Sequence, residues 1–321
     1  MAHSSIASCC SLNLILWCFF SSSYALLNKH LLTVFPFPVT LTVGQLTSGS
    51  LFFLACSSLQ SDTQSISLNR IKSKHFFRLA YTSLFHAVGI VASHASIMAS
   101  PSVPHVMIWR TGQPLLATLM SLPLGIGTSA SVSFASLSYL GILLTLSRST
   151  ITGCLWTTCS SLAFSARGIA TSRRLCSRRF GGGQALFWCL TMASLVWLIP
   201  LARVLEPTAD VRLVWLELIG SGVLFYFVNR FAFDTLNQRH EINTHWTSLQ
   251  PLLPNICIVL VSYGKTTMSP SFVACMLAFG GMWRYQCHKT GSTPYALDNL
   301  NGRLKAIRSM STSSSRALAT G

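Results

Sequence analysis

The sequence predicts an all-α, polytopic membrane protein of about ten transmembrane helices in two pseudo-symmetric five-helix halves. Three observations lead there. Half of the 321 residues are hydrophobic and only 9% are charged, whereas a soluble domain carries about 25% charged residues. Apolar windows long enough to span a bilayer recur along the chain, about 20 residues each. The basic residues segregate to alternate loops.

The windows fall at 9–28, 39–59, 77–99, 102–122, 130–147, 150–170, 184–203, 212–233, 244–262 and 269–286. Helices are the expected form, because they satisfy their own backbone hydrogen bonds in lipid. The first run leads straight into Asn28-Lys29. It lacks the basic start and small-residue cleavage site of a leader, so it is read as span one. Windows three and four are parted by little more than Ser100-Pro101, and five and six by Arg148.

Four parts are expected. Residues 1–172 form a first five-to-six-helix half, 173–183 a basic, Gly-rich cytosolic loop, 184–288 a second helical half, and 289–321 a basic, disordered cytosolic tail rich in Ser and Thr.

With the N-terminus in the cytosol, the loops on that side hold Arg70, Lys72, Lys74, Arg78, Arg173, Arg174, Arg178, Arg179, Arg230 and Arg239, and the tail adds more. The opposite side holds Lys29, Arg148, Arg203, Arg212 and Lys265. This is the positive-inside bias. It assigns much of the +16 formal charge to topology and anionic lipid head groups, not to nucleic acid. The eleven cysteines lie mostly inside apolar runs and show no paired metal spacing, so neither a disulfide framework nor a metal site is expected. No phosphate loop, nucleophile elbow or dinucleotide fingerprint is present. The chain is therefore read as no enzyme and as needing no cofactor.

A charge within a span needs a reason. Arg110 lies mid-window, with Gln113 and Pro114 three and four residues on and so on its face. Pro114 frees a carbonyl one turn back, and a guanidinium beside it can hold a phosphate or carboxylate in a fork. Arg167 sits near the cytosolic end of its window and is read as snorkelling toward the interface. His86, His94 and His105 fall in or beside spans three and four, and Ser93 and His94 are placed facing a cavity. Of seven carboxylates only Glu217 and Asp234 approach span depth. Exchange of one solute for another therefore fits better than proton-driven uptake.

The run Asn28-Lys29-His30-Leu31-Leu32-Thr33-Val34-Phe35-Pro36-Phe37-Pro38-Val39-Thr40 resembles the triose-phosphate translocator family of the drug/metabolite transporter superfamily. His86 and Gly89, the stretch Arg110-Thr111-Gly112-Gln113-Pro114, Thr244-His245 and Ser269-Pro270 are similar to further motifs of that family. The resemblance runs through residues 28–286. It implies ten helices, pseudo-symmetric halves and strict exchange by alternating access. It also implies a basic residue in span four, where Arg110 stands, and a hydroxyl in span three, where Ser93 stands nearby. At the family's span-nine basic pair this chain has Leu252-Leu253, and Ile90 and Val228 stand near the places of two further substrate-reading residues. Asn255, Gln250, Asn229 and Arg230 are the polar residues available to replace them.

The sequence thus leads to a secondary transporter, an antiporter for a nucleotide sugar or another phosphorylated, sugar-like metabolite. The candidate substrate-binding residues are Arg110, Ser93, Gln113, Lys29, His94 and Asn255. Its partners would be an anionic substrate, a counter-substrate and the lipid bilayer, and a homodimer is compatible with this composition. A Golgi or other endomembrane location comes first, a plastid envelope second. The rival reading is a transporter-like scaffold or regulator without transport.

Overall fold

Pro36 and Pro38 break the first long helical run and start the second. The computed structural model describes residues 2–59, 73–101, 103–110, 116, 151–174 and 183–237. Helix α1 covers Ala2–Val34 and α2 covers Pro38–Leu59. Proline at a first helical position has its φ already set and lacks only an N–H that would go unpaired. Helix α3 covers Ser73–Ala99, and α4 is described over Val103–Arg110, so the Ser100-Pro101 break between spans three and four is present. Helices α5 (Ile151–Arg174), α6 (Gly183–Leu205) and α7 (Trp215–Asn237) follow.

Every regular element among the described residues is helical, as the sequence leads one to expect. Windows five, nine and ten, the tail, and the candidates Gln113 and Asn255 lie outside the described residues. By length and composition alone, three described helical stretches are fit to cross a membrane: Pro38–Ser58, Phe76–Ala99 and Ala185–Leu205.

One boundary differs from the sequence reading. The window expected from residue 212 opens with a separate 3-10 turn, Val211–Leu213, and α7 begins only at Trp215. The reason is Asp210, whose carboxylate accepts from the Arg212 backbone N–H at 3.0 Å. That local bond competes with continuation of the longer helix.

The exterior is apolar and the interior carries the polar groups. Leu51, Val88, Leu155, Val196, Val204, Leu216 and Ile219 are exposed, whereas Asn28, Thr42, Gln45, His86 and His94 are buried. This suits a bundle in lipid, where apolar side chains gain little by turning inward and polar ones must find partners inside. Helix α2 packs on α6 and α7, α1 on α7, and α3 on α5 and α6. Elements from before residue 175 and from after residue 182 are thus interleaved, and the expected loop 173–183 is shorter at both ends, since Arg173 and Arg174 belong to α5 and Gly183 to α6. Between α1 and α7, Phe20 stacks on Phe227 and Phe231 with ring centroids 5.0 and 5.5 Å apart.

The crossing of α2 and α7 is close because it runs through glycine. A Cβ at Gly49 would sit 2.9 Å from the Gly222 carbonyl oxygen, and one at Gly222 would meet the Ser48 side chain and lie 3.0 Å from the Gln45 carbonyl oxygen. Backbone atoms cannot swing aside as side chains do, and without a hydrophobic drive in lipid such close packing is what holds helices together. Gly49→Val is expected to cost about 1–3 kcal/mol of stability through overpacking, read as a lower melting temperature in detergent. Gly220→Ala, with nothing within 4 Å of the added atom, should leave melting unchanged or raise it.

Candidate substrate site

The site builds from the ends of α1 and α2 toward α3. Asn28 and Gln45 are 0% and 1% exposed, deep inside a structure whose outside is lipid-like. Their hydrogen bonds form one directed chain. The Tyr24 hydroxyl donates to Gln45 Oε1 at 2.8 Å. Gln45 Nε2 donates to Asn28 Oδ1 at 2.6 Å. Asn28 Nδ2 lies 3.4 Å from His94 Nε2, and His94 Nδ1 lies 2.8 Å from Thr42 Oγ1. The Thr42 hydroxyl donates to the Pro38 carbonyl at 2.7 Å.

These bonds decide the His94 tautomer. A hydroxyl has one proton, and that of Thr42 goes to Pro38, so Thr42 accepts from His94 Nδ1–H. Nε2 is then the acceptor that the Asn28 amide requires. The Tyr24 oxygen, 3.3 Å from the same nitrogen, has its proton on Gln45. The network joins α1, α2 and α3 with both ring nitrogens of His94 engaged by protein.

Arg110, at the end of the described part of α4, lies close enough to Tyr24 and His94 to act on both electrostatically. Its guanidinium donates to the Ser93 hydroxyl, one residue from His94. Its Nε is buried with no partner among the described residues. Arg110 and Ser93, both named from sequence, are therefore together. A forked cation held by a neutral hydroxyl keeps its charge for an anion.

Lys29 takes a structural position. Its ammonium donates to the carbonyls of Ile97 and Ser100 at 2.9 and 2.6 Å. A cation at a helix C-terminus meets otherwise unpaired carbonyls and the negative end of the dipole, so Lys29 clasps the end of α3 to α1.

Arg167 departs from the snorkelling expected of it. Its Nη1 lies 2.9 Å from His86 Nδ1, and its guanidinium sits 5.0 Å from the centroid of the Phe164 ring. Arginine only donates, so His86 Nδ1 accepts and Nε2 carries the proton. That Nε2 is buried without a partner among the described residues. The physical reason for the inward turn is an acceptor on the adjacent α3 and a ring face one turn back on its own helix. Because His86 and Ser93 are seven residues apart, they lie on nearly one face of α3, two turns apart.

Sequence reasoning passed over the network members Tyr24, Thr42 and Gln45. The available signal was an amide side chain within an apolar window, as at Gln45. It also passed over Glu206, whose two carboxylate oxygens accept from the backbone N–H groups of Val39 and Thr40 at 3.0 and 2.7 Å. A carboxylate is favoured at a helix N-terminus, and this one ties the end of α6 to the start of α2.

The Triose-phosphate Transporter family matches residues 9–286. The chain belongs to that family. Family membership makes it a polytopic membrane protein and accords with the resemblance seen at residues 28–40. A curated relative is the xylulose 5-phosphate/phosphate translocator, chloroplastic, of Arabidopsis thaliana, 26% identical over 246 residues. That match covers 70% of this chain and 56% of the relative, so the chain spans little more than half of the relative's length. A crystal structure of another protein superposes with a TM-score of 0.55 at 18% identity, covering 89% of this chain and 99% of that one. At that identity it shows a shared fold.

Removing one amide of the network leaves its buried partners unpaired. Gln45→Leu is expected to lower the stability of this transporter-family chain by about 1–3 kcal/mol, seen as a lower melting temperature in nanodiscs. An unchanged melting temperature would mean that the network is not holding α1 to α2.

Proposed function

We propose that the chain is an antiporter that exchanges a phosphorylated, sugar-like metabolite for inorganic phosphate by alternating access, with Arg110 as the anion-binding residue. The observation that carries this reading is the buried Arg110 guanidinium, held by the Ser93 hydroxyl with its Nε unpartnered among the described residues. Membership of the Triose-phosphate Transporter family and the sugar-phosphate/phosphate relative support the substrate class. A sugar phosphate therefore takes precedence over the nucleotide sugar that the sequence had placed first.

In this reading Arg110 binds phosphate as a fork and Ser93 aims it. Gln113 and Asn255 remain candidate contacts for the rest of the substrate. Lys29 and His94 act by position, the first by clasping α3 and the second by locking α1–α3. The halves 1–172 and 184–288 rock against each other about the bound anion. The relative's chloroplast location favours the plastid envelope among the two locations expected from sequence, and nothing in the comparisons favours the Golgi.

The test is counter-exchange in proteoliposomes preloaded with inorganic phosphate, offering labelled pentulose and triose phosphates outside. Uptake that requires internal phosphate is expected. A charge-assisted hydrogen bond contributes about 1.5–3 kcal/mol, so Arg110→Ala should reduce exchange by about 10- to 100-fold. Arg110→Lys should fall between it and the wild type, because charge remains while the fork is lost. Folded protein that exchanges none of these anions would overturn the proposal in favour of a non-transporting scaffold.

A further inference from the structure

A closed apolar layer covers the Arg110 site on one side. Helices α3 and α4 are parted only by the Ser100-Pro101 break, and Arg110 reaches back to Ser93, so the two run antiparallel. Ile97 stands four residues after Ser93, and Val106 four residues before Arg110. Each is therefore one turn, about 6 Å, nearer the break and on the same face as the site residue. Leu31 takes the matching place on α1, three residues beyond the Asn28 that meets His94. Leu31, Ile97 and Val106 are 0%, 2% and 1% exposed and belong to one apolar cluster.

Lys29 fastens this layer. It stands two residues before Leu31, and its ammonium donates to the carbonyls of Ile97 and Ser100 at 2.9 and 2.6 Å. The helices it joins belong to different packed groups, because α1 lies mainly on α7 and α3 mainly on α5 and α6. Lys29 also remains partly exposed. Its charge meets two neutral carbonyls, and a phosphate oxygen is the stronger acceptor for an ammonium.

We infer that Leu31, Ile97 and Val106 form a gate over the Arg110 site, on the face that the charge bias assigns to the non-cytosolic side, and that Lys29 is its latch. A phosphate anion arriving at that face draws the ammonium from Ile97 and Ser100, and the layer parts. With no anion present the latch stays on the carbonyls and the empty carrier stays shut. A latch of this kind makes the carrier an exchanger, because opening needs a counter-anion. Lys29 is thus a positioning residue, while Arg110 holds the cargo. The consequence for coupling rests on the exchange reading; the gate itself rests on the packing.

Two measurements test it on the full chain. In the first, proteoliposomes are preloaded with labelled phosphate, and efflux is followed into media with and without unlabelled phosphate. The wild type should release label only into phosphate. Lys29→Met should release it into phosphate-free medium as well, raising the ratio of net efflux to exchange about ten-fold. Lys29→Arg, which keeps the charge and the donors, should restore the wild-type ratio. The second measurement reads the gate without transport. Leu31→Cys in nanodiscs is treated with a sulfonated maleimide, and modification at position 31 is followed by peptide mass spectrometry. Phosphate should speed that modification, and adding Lys29→Met should make it fast without phosphate. Net efflux and exchange that fall together in Lys29→Met would overturn the inference and leave Lys29 a structural clasp. So would modification of Leu31→Cys that is indifferent to phosphate. Phosphate-dependent modification in protein that exchanges no anion would count against the exchange reading and for the gate.

Discussion

Inside a bilayer there is no water to complete a hydrogen bond, and the arrangement of α1, α2 and α3 around His94 follows from that constraint. Tyr24, Asn28, Thr42 and Gln45 cannot face hydrocarbon without loss, so they face one another. Their bonds run in a single direction, from a phenol to a backbone carbonyl. Shifting one helix by a turn would break several of these bonds at once. The network therefore sets the register of the three helices, which apolar packing in lipid cannot do alone. Ser93 is the neighbour of His94 in sequence, so holding His94 also places the hydroxyl that orients Arg110.

The same logic joins the helices before residue 175 to those after residue 182. Glu206 serves two backbone N–H groups at the start of α2. At the α2–α7 crossing the helices approach through Gly49 and Gly222. Any rocking motion must keep or remake these contacts. At the glycine crossing two backbones come close with no Cβ between them.

Arg110 was legible in the sequence because a guanidinium in mid-span is expensive and has few uses. Ser93 was legible as its hydroxyl neighbour. Arg167 was misread, because position along a window says how near the interface a side chain is, but not which neighbour it meets. His86 and the Phe164 ring decided that. His94 was legible as a buried polar residue, yet its engagement by Asn28 and Thr42 needed residues 66 and 52 positions away. No periodicity within one helix reports such a pairing.

Composition, window length and charge bias by themselves determined that this chain is a helical membrane protein, because those are sums over many residues and survive local error. They also determined where its helices break, at Pro36-Pro38 and Ser100-Pro101, because proline acts on its own backbone. Tertiary structure alone decided which polar groups meet: Glu206 with the start of α2, Lys29 with the end of α3, and Arg110 with Ser93. Each of these depends on distance in space between residues far apart in the chain, and that distance is fixed only when the helices have packed.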